Sequence, residues 1–161
     1  PQEPALFQGT IRSNLDPFNE YSDVQLWSAL EKASMKDAID KLEAGLDTEV
    51  VSGGSNFSVG ERQLLCLSRA LVRNSRIIIL DEATASVDLV SDSVIQRTIR
   101  EQFEHVTVLT IAHRLNTIID YDRIMVLQSG EIAEFDAPAK LLADTDGIFY
   151  SMAKKSGLVK A

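Results

Sequence analysis

Three ionisable residues follow two apolar segments of the chain. Asp81 and Glu82 come directly after the β-branched run 77–80, and His113 follows the apolar segment 106–111. Both segments are typical of buried parallel strands, and the stretch between them has helical periodicity. A strand, a crossover helix and a second parallel strand place both carboxyl ends at one edge of a sheet. We therefore expect the three side chains to lie at that edge, where parallel sheets bind ligands.

These side chains suit the handling of a magnesium-bound phosphate. Mg²⁺ prefers one or two carboxylates together with waters and phosphate oxygens, so Asp81 is a candidate metal ligand. Glu82 could take a proton from an attacking water or orient it, and His113 could donate a hydrogen bond to a terminal phosphate oxygen. The alternative is that the carboxylates only end a strand in solvent and that His113 is structural. Position alone leaves both interpretations open.

A second candidate anion site lies at the predicted start of a helix. Ser58 and Glu61 have the spacing of a capping box, and leucines follow at helical spacing. The Ser58 hydroxyl, the Gly60 amide and the positive end of the helix dipole could bind a phosphate, because Gly60 lets an anion approach the backbone closely. Taken alone, the pattern is more typical of a plain helix cap that binds nothing.

The elements that must position these residues alternate between helix and strand. The first twenty residues are turn-rich, a helix is predicted over 22–42 with a break near Ser34, and a loop follows over 45–56. After the second strand we predict a hairpin over 123–135, a short helix capped by Asp136, and a final helix. This order predicts an α/β fold with a mainly parallel sheet.

Composition excludes several classes of protein. The chain has 161 residues and a formal net charge of −8, which argues against a general nucleic-acid-binding protein. A single cysteine, Cys66, excludes an internal disulfide framework and a cysteine-based zinc site. No apolar run approaches the roughly 18 residues that span a bilayer. The chain begins at Pro1 rather than Met, which predicts that it is a piece of a longer protein.

Five ordered segments together resemble the motifs of an ATP-binding cassette (ABC) nucleotide-binding domain. They match the Q-loop, signature, Walker B, D-loop and H-loop of that family, and they lie at 1–4, 57–63, 77–83, 86–88 and 112–114. Each motif alone is weak, but their order and spacing are specific and extend over essentially the whole chain. The Phe-Ser-Val-Gly signature and the segment 12–18 are similar to the second nucleotide-binding domain of C-subfamily, multidrug-resistance-associated exporters.

The resemblance implies ATP hydrolysis with ATP and Mg²⁺ as cofactors. Gln2 would contact Mg²⁺ and the attacking water, and Asp81 would hold Mg²⁺, mostly through water. Glu82 would be the general base or water-orienting carboxylate, and His113 would contact the γ-phosphate. The fold implied is that of a P-loop NTPase with a helical subdomain.

The resemblance also implies partners. Ser58 and Gly60 would bind the γ-phosphate of an ATP held by a second nucleotide-binding domain, in a head-to-tail sandwich with Asp88 at its interface. The helical subdomain would contact the transmembrane domains of the same transporter. The chain would then lie on the cytoplasmic face of a membrane, with no nucleic-acid partner.

One motif of the family does not occur in the sequence. Residues 1–161 contain no Gly-x-x-x-x-Gly-Lys-Ser/Thr run, the Walker A loop that cradles the β- and γ-phosphates. We interpret the chain as a partial domain, with the helical subdomain at about 5–55 and the signature helix, Walker B, D-loop, H-loop and C-terminal part at 56–161. Because phosphoryl transfer depends on positioning, the isolated chain is expected to be inactive.

Two other functions fit part of the pattern. One is a soluble ABC-type ATPase of DNA repair or translation, which the exporter-like signature and helical region disfavour. The other is a non-catalytic module that supplies only the signature face to a partner. Such a module would need Ser58 and Gly60 but not Glu82.

Overall fold

The computed structural model describes residues 4–81, 88–112 and 114–159. They fall into two compact units, Pro1–Ile111 and Ala112–Ala161. The first contains, in chain order, β1 (Gly9–Thr10), α1 (Ile11–Leu15), α2 (Asp23–Lys32), α3 (Lys36–Asp40), β2 (Glu49–Val50), α4 (Val59–Val72), β3 (Ile77–Asp81), α5 (Leu89–Gln102) and β4 (Thr107–Ile111). The second contains α6 (Leu115–Ile118), β5 (Ile124–Gln128), β6 (Glu131–Asp136), α7 (Pro138–Ala143) and α8 (Ile148–Lys155).

β3 and β4 form the parallel pair that the sequence predicts. The two strands pair in register and end with Asp81 opposite Ile111. Ile78 is buried on the face that packs against the helices, whereas Ile77 and Ile79 on the other face are 61% and 64% exposed. The apolar run thus marks a parallel strand, but the described chain covers only one of its two faces.

One hydrophobic core joins the elements of the first unit. The signature helix α4 packs against α1, α2 and α5. Ile11 and Leu15 from α1, Leu30 from α2 and Ile95 from α5 are almost completely buried in this core. Burying each such side chain stabilises the fold by about 1.5–3 kcal/mol. The start of α4 is therefore positioned by helices on several sides.

The turn-rich interpretation of the first twenty residues was wrong for residues 11–15, which form α1. Thr10 caps this helix with a capping box: its hydroxyl accepts from the Ser13 amide at 3.1 Å, and Ser13 Oγ accepts from the Thr10 amide at 2.9 Å. The box and the burial of Ile11 and Leu15 outweigh the weak helix propensity of Asn14.

The helix predicted over 22–42 is divided at the predicted break. The Ser22 amide donates to the Gln25 side chain at 2.9 Å where α2 begins. Ser34, between α2 and α3, has φ of 58°, a left-handed conformation that does not occur inside a right-handed helix. The residue type and the spacing therefore located the break correctly.

β5 and β6 form the predicted antiparallel hairpin in the second unit. Ser129 and Gly130 turn the chain with φ of 53° and 84°, as tight hairpins of this kind require. Ile124, Val126 and Phe149 form a small buried cluster between the hairpin and α8. The alternating helices and strands and the parallel pair in the first unit confirm the α/β class.

The prediction that Asp136 caps the next helix was wrong by one residue. Asp136 is the last residue of β6, and Ala137 is the N-cap of α7. Pro138 occupies the first helical turn and requires an extended residue before it, which moves the cap to Ala137. The Asp136 carboxylate still accepts a hydrogen bond from the Ala137 amide, at 2.8 Å.

Across the described ranges, no helix combines the length and apolar character needed to cross a bilayer.

Candidate functional site

The described residues include only part of the predicted catalytic edge of the sheet. Asp81 is the half-buried last residue of β3, opposite the last residue of β4. Glu82 follows it directly and His113 comes two residues after Ile111, but both, together with Gln2, lie outside the described residues. The two strand ends that precede them in the chain do meet at one edge. The assembly of the three side chains there stays a prediction.

The metal prediction rests on Asp81 and Gln2. Within residues 4–81, 88–112 and 114–159, no cluster of three or more His, Cys, Asp or Glu side chains could hold a metal ion. A single carboxylate suits Mg²⁺, which commonly keeps several waters and takes phosphate oxygens from its substrate. Asp81 therefore fits a magnesium ion that arrives with a phosphate ligand, since among the described residues it has no partner ligands that would complete a metal site.

The space behind Asp81 is apolar. A cavity of about 120 Å³ lies between α4, β3 and α5, and Gln63, Cys66 and Asp81 are among the residues that line it. Burial raises the pKa of the Cys66 thiol, which therefore remains protonated at neutral pH. Cys66 is thus a small packing residue of α4, as its position in the sequence indicated.

The start of α4 has the predicted capping box. The Ser58 hydroxyl oxygen accepts from the Glu61 amide at 3.2 Å, and a Glu61 carboxylate oxygen accepts from the Ser58 amide at 2.8 Å. Ser58 is exposed, and its hydroxyl hydrogen is not used by these two bonds. The amides of Val59 and Gly60 are at the positive end of a 14-residue helix. The exposed hydroxyl suits an oxyanion, whereas Gly60 is buried, so the approach of an anion to its amide stays a prediction.

The loop before α4 is held by Arg62 in the first turn of that helix. Arg62 donates to the carbonyl oxygens of Phe57 at 3.1 Å and Gly54 at 3.5 Å. Gly54 has φ of 70°, and a Cβ atom at this position would lie 2.8 Å from Leu6 Cδ1. Only glycine fits this close approach without displacing its neighbours. The backbone that leads to Ser58 is therefore fixed on both sides.

Asp88 has a structural role at the start of α5. Its carboxylate accepts from the backbone amides of Val90 at 3.1 Å and Ser91 at 3.0 Å. These bonds, the one from Ser91 first, lower the pKa of Asp88. In the described part of the chain, no hydrogen bond joins Asp81 or Asp88 to the start of α4. The interface role of Asp88 stays a prediction beside this established helix cap.

Sequence reasoning missed two residues that fix the surroundings of the site, Asn14 and Arg69. Asn14 is 3% exposed, and Arg69 on α4 donates to its backbone and side chain. An Asn in a turn-rich segment and an Arg on an amphipathic helix are both ordinary surface residues in a sequence. Only the packing of α1 on α4 brings them together.

Comparison with known proteins identifies the family of the chain. The profile of the family described as "ABC transporter" matches residues 1–85. The chain is 56% identical over 161 residues to ATP-binding cassette sub-family C member 4 of Homo sapiens, which covers 100% of this chain and 12% of that protein. It is 58% identical over 158 residues to sub-family C member 3 of Homo sapiens, covering 98% of this chain and 10% of that protein. The chain thus spans about an eighth or less of these relatives.

A solved structure gives the same result for the fold. The structure of a bacterial Atm1-family ABC exporter with ATP bound matches 100% of this chain and 28% of its own, with a TM-score of 0.86 and 36% sequence identity. The α/β fold is therefore that of an ABC ATPase domain. The likeness to C-subfamily members that the signature indicated is confirmed. The chain belongs to the ABC transporter family.

Proposed function

We propose that the chain is the later part of an ABC nucleotide-binding domain that binds and hydrolyses ATP to drive export of a solute across a membrane. The observation that carries this proposal is the match of residues 1–85 to the ABC transporter family, and the exposed Ser58 hydroxyl at the positive end of α4 fits it. Family membership and 56% identity to a sub-family C member support it.

The uncovered face of the parallel pair supports the interpretation as a partial domain. Ile77, Ile79, Leu109 and Ile111 are 53% to 64% exposed on one face of β3 and β4. Parallel sheets are almost always covered by helices on both faces. We propose that further chain, including the missing Walker A loop, covers this face in the complete domain. The isolated chain is expected to bind Mg·ATP weakly and to be inactive.

The proposed catalytic roles follow the order of the motifs. Glu82 orients the attacking water or accepts its proton, and His113 donates a hydrogen bond to the γ-phosphate. Asp81 and Gln2 hold the magnesium ion with its waters. When bound, Mg²⁺ would neutralise charge that develops on the phosphate oxygens. The protein's own contribution is mainly to position these groups.

Two kinds of partner are proposed. Ser58 and Gly60 bind the γ-phosphate of an ATP held by a second nucleotide-binding domain, in a head-to-tail sandwich with Asp88 at the interface. The transmembrane domains of the transporter contact the helical region, on the cytoplasmic face of the membrane. The helical region has large exposed apolar side chains that support such contacts: Phe7, Phe18 and Val24 are 69%, 73% and 78% exposed.

A chimera tests the proposal. This chain replaces the matching residues of human sub-family C member 4, and ATP hydrolysis is measured with the purified protein. We expect the chimera to hydrolyse ATP and Glu82→Gln to lower kcat by about 10²- to 10⁴-fold while ATP remains bound. Glu104→Gln, an exposed carboxylate beyond α5, is the matched control and should leave kcat unchanged. Normal turnover of the Glu82 variant would remove Glu82 from its role.

The chimera tests one alternative function, and the upstream transcript tests the other. A module that supplies only the signature face needs Ser58 and Gly60 but not Glu82. If that is the function, ATP hydrolysis by the chimera tolerates Glu82→Gln. A soluble ATPase is distinguished at the level of the gene, because the transcript upstream of Pro1 would then encode a Walker A loop without membrane spans. A Walker A loop preceded by membrane spans agrees with the exporter.

A further inference from the structure

Residues 4–7 are held in place by the buried side-chain amide of Asn14. Asn14 Oδ1 accepts from the Phe7 amide at 2.9 Å. Asn14 Nδ2 donates to the carbonyl oxygens of Phe7 at 2.8 Å and Thr10 at 3.0 Å. Asn14 is 3% exposed, so these hydrogen bonds form away from solvent, and breaking them would cost free energy because water does not replace the lost partners. The segment therefore has one strongly preferred position on α1.

Arg69 connects the same segment to α4. Its Nε donates to the Asn14 carbonyl oxygen at 2.7 Å, Nη2 to Asn14 Oδ1 at 3.1 Å and Nη1 to the Ala5 carbonyl oxygen at 3.3 Å. The guanidinium carbon lies 5.6 Å from the centre of the Phe7 ring. A planar fork with several N–H donors makes these contacts in one geometry, which a lysine ammonium does not reproduce.

The segment also contacts the chain at the other end of α4. Leu6 is 5% exposed and lies against Gly54, in the loop that leads to Ser58. Arg62 packs beside the same glycine and holds the loop carbonyls. Residues 4–7 are thus attached to α4 through Arg69 and to the loop before α4 through Leu6.

We propose that Arg69 is a positioning residue that, with Asn14, couples the chain next to Gln2 to the signature helix. The inference rests on the proposed function, in which Gln2 acts at one ATP and Ser58 at the ATP of the second site. Gln2 is only two residues before Pro4, at the start of the fixed segment. The Arg69 contacts therefore transmit a change at one ATP to the residue that binds the other ATP.

The full-length chimera tests this coupling. We expect Arg69→Met and Arg69→Lys each to lower kcat about tenfold per folded molecule, with KM for ATP changed less than about threefold, because misplacement affects the reacting geometry more than nucleotide binding. Gln2→Ala should also lower kcat. The double variant Gln2→Ala/Arg69→Met should be at most about twofold slower than the slower single variant, because both break one connection. Arg73→Met, an exposed arginine one turn further along, is the control and should be normal.

The outcomes are distinguishable. Multiplicative effects of the Gln2 and Arg69 substitutions, or normal kcat per folded molecule in the Arg69→Lys variant, would overturn the coupling and leave the proposed function intact. Normal kcat in the Gln2→Ala variant would contradict the role of Gln2 in the proposed function, and the coupling with it. If Arg69→Met does not yield folded protein, Arg69→Lys, which keeps the charge and the aliphatic stem, takes its place in the double variant.

Discussion

The start of α4 has two possible roles, helix cap and phosphate ligand, and a pair of substitutions separates them. Ser58→Ala removes the hydroxyl that accepts from the Glu61 amide at 3.2 Å. Glu61→Ala removes the carboxylate that accepts from the Ser58 amide at 2.8 Å. Each variant deletes one half of the same capping box, but only the first deletes the proposed phosphate ligand. Glu61→Ala is therefore the matched control for Ser58→Ala.

The two variants should lose similar stability. Loss of a capping side chain costs about 1 kcal/mol. Glu61→Ala also loses a favourable charge at the helix start, about 0.3–1 kcal/mol, which the high helix propensity of alanine partly offsets. Both losses are small beside the roughly 5–15 kcal/mol that stabilises a typical domain. Urea unfolding of the 161-residue chain, followed by circular dichroism, measures both.

The two variants should differ in ATP hydrolysis by the chimera. A hydrogen bond from the Ser58 hydroxyl to a charged phosphate oxygen is worth about 1.5–3 kcal/mol, so Ser58→Ala should lower kcat/KM by about 10- to 160-fold. Glu61→Ala keeps the hydroxyl and should lower kcat/KM less than about threefold. Equal losses in the two variants would refute the reasoning, because the hydroxyl would then act only as a cap.

Three further predictions concern local structure. The pKa of Asp88 is lowered, so its carboxylate stabilises the fold above the ordinary pKa of 3.8, and this stabilisation is lost as the pH falls through the lowered pKa. The free energy of unfolding of the native chain should therefore fall relative to that of Asp88→Asn between about pH 6 and pH 3. A constant difference between the two proteins would contradict this. Gly54→Ala should cost about 1–3 kcal/mol more in urea unfolding than Gly53→Ala, because both glycines have positive φ but only at Gly54 would a Cβ lie 2.8 Å from a leucine side chain. Glu134→Gln should lower the free energy of unfolding by about 1–3 kcal/mol more than its exposed control, Glu131→Gln. The reason is that the Glu134 carboxylate accepts hydrogen bonds from two backbone amides at the start of α8, at 2.6 and 2.9 Å. Equal urea midpoints for the two variants would contradict this role.

The features that the sequence predicted correctly depend on neighbouring residues. The capping box at Ser58, the left-handed break at Ser34 and the hairpin turn at Gly130 each need only a few adjacent positions. The parallel pairing of β3 and β4 also followed, because a crossover helix leaves few other topologies. The first three features depend on local sequence and the strand pairing on a general rule of chain topology, so residue types and spacing predict them.

The features that the sequence did not predict depend on distant contacts or on chain outside the described fold. α1 was missed because its stability comes from burying Ile11 and Leu15 rather than from helix propensity. The apolar run 77–80 predicted a strand buried on both faces, but Ile77 and Ile79 are exposed, because the run carries no information on which part of the chain covers each face. Arg69 and Asn14 are 55 residues apart in the chain, and no local pattern connects them. The coupling proposed above therefore had to come from the structure.

A physical reason explains why motif residues alone do not prove the site. Ser58 and Asp88 are both predicted site residues, and both are N-caps whose side-chain oxygens accept backbone amides. A cap and an anion site need the same things, a small polar side chain and a helix start with free amides. A sequence that keeps these residues for capping alone would look the same. The decision must come from variants that weaken the capping box and keep the candidate ligand, and Glu61→Ala does this at α4 because it removes only the Glu61 half of the box.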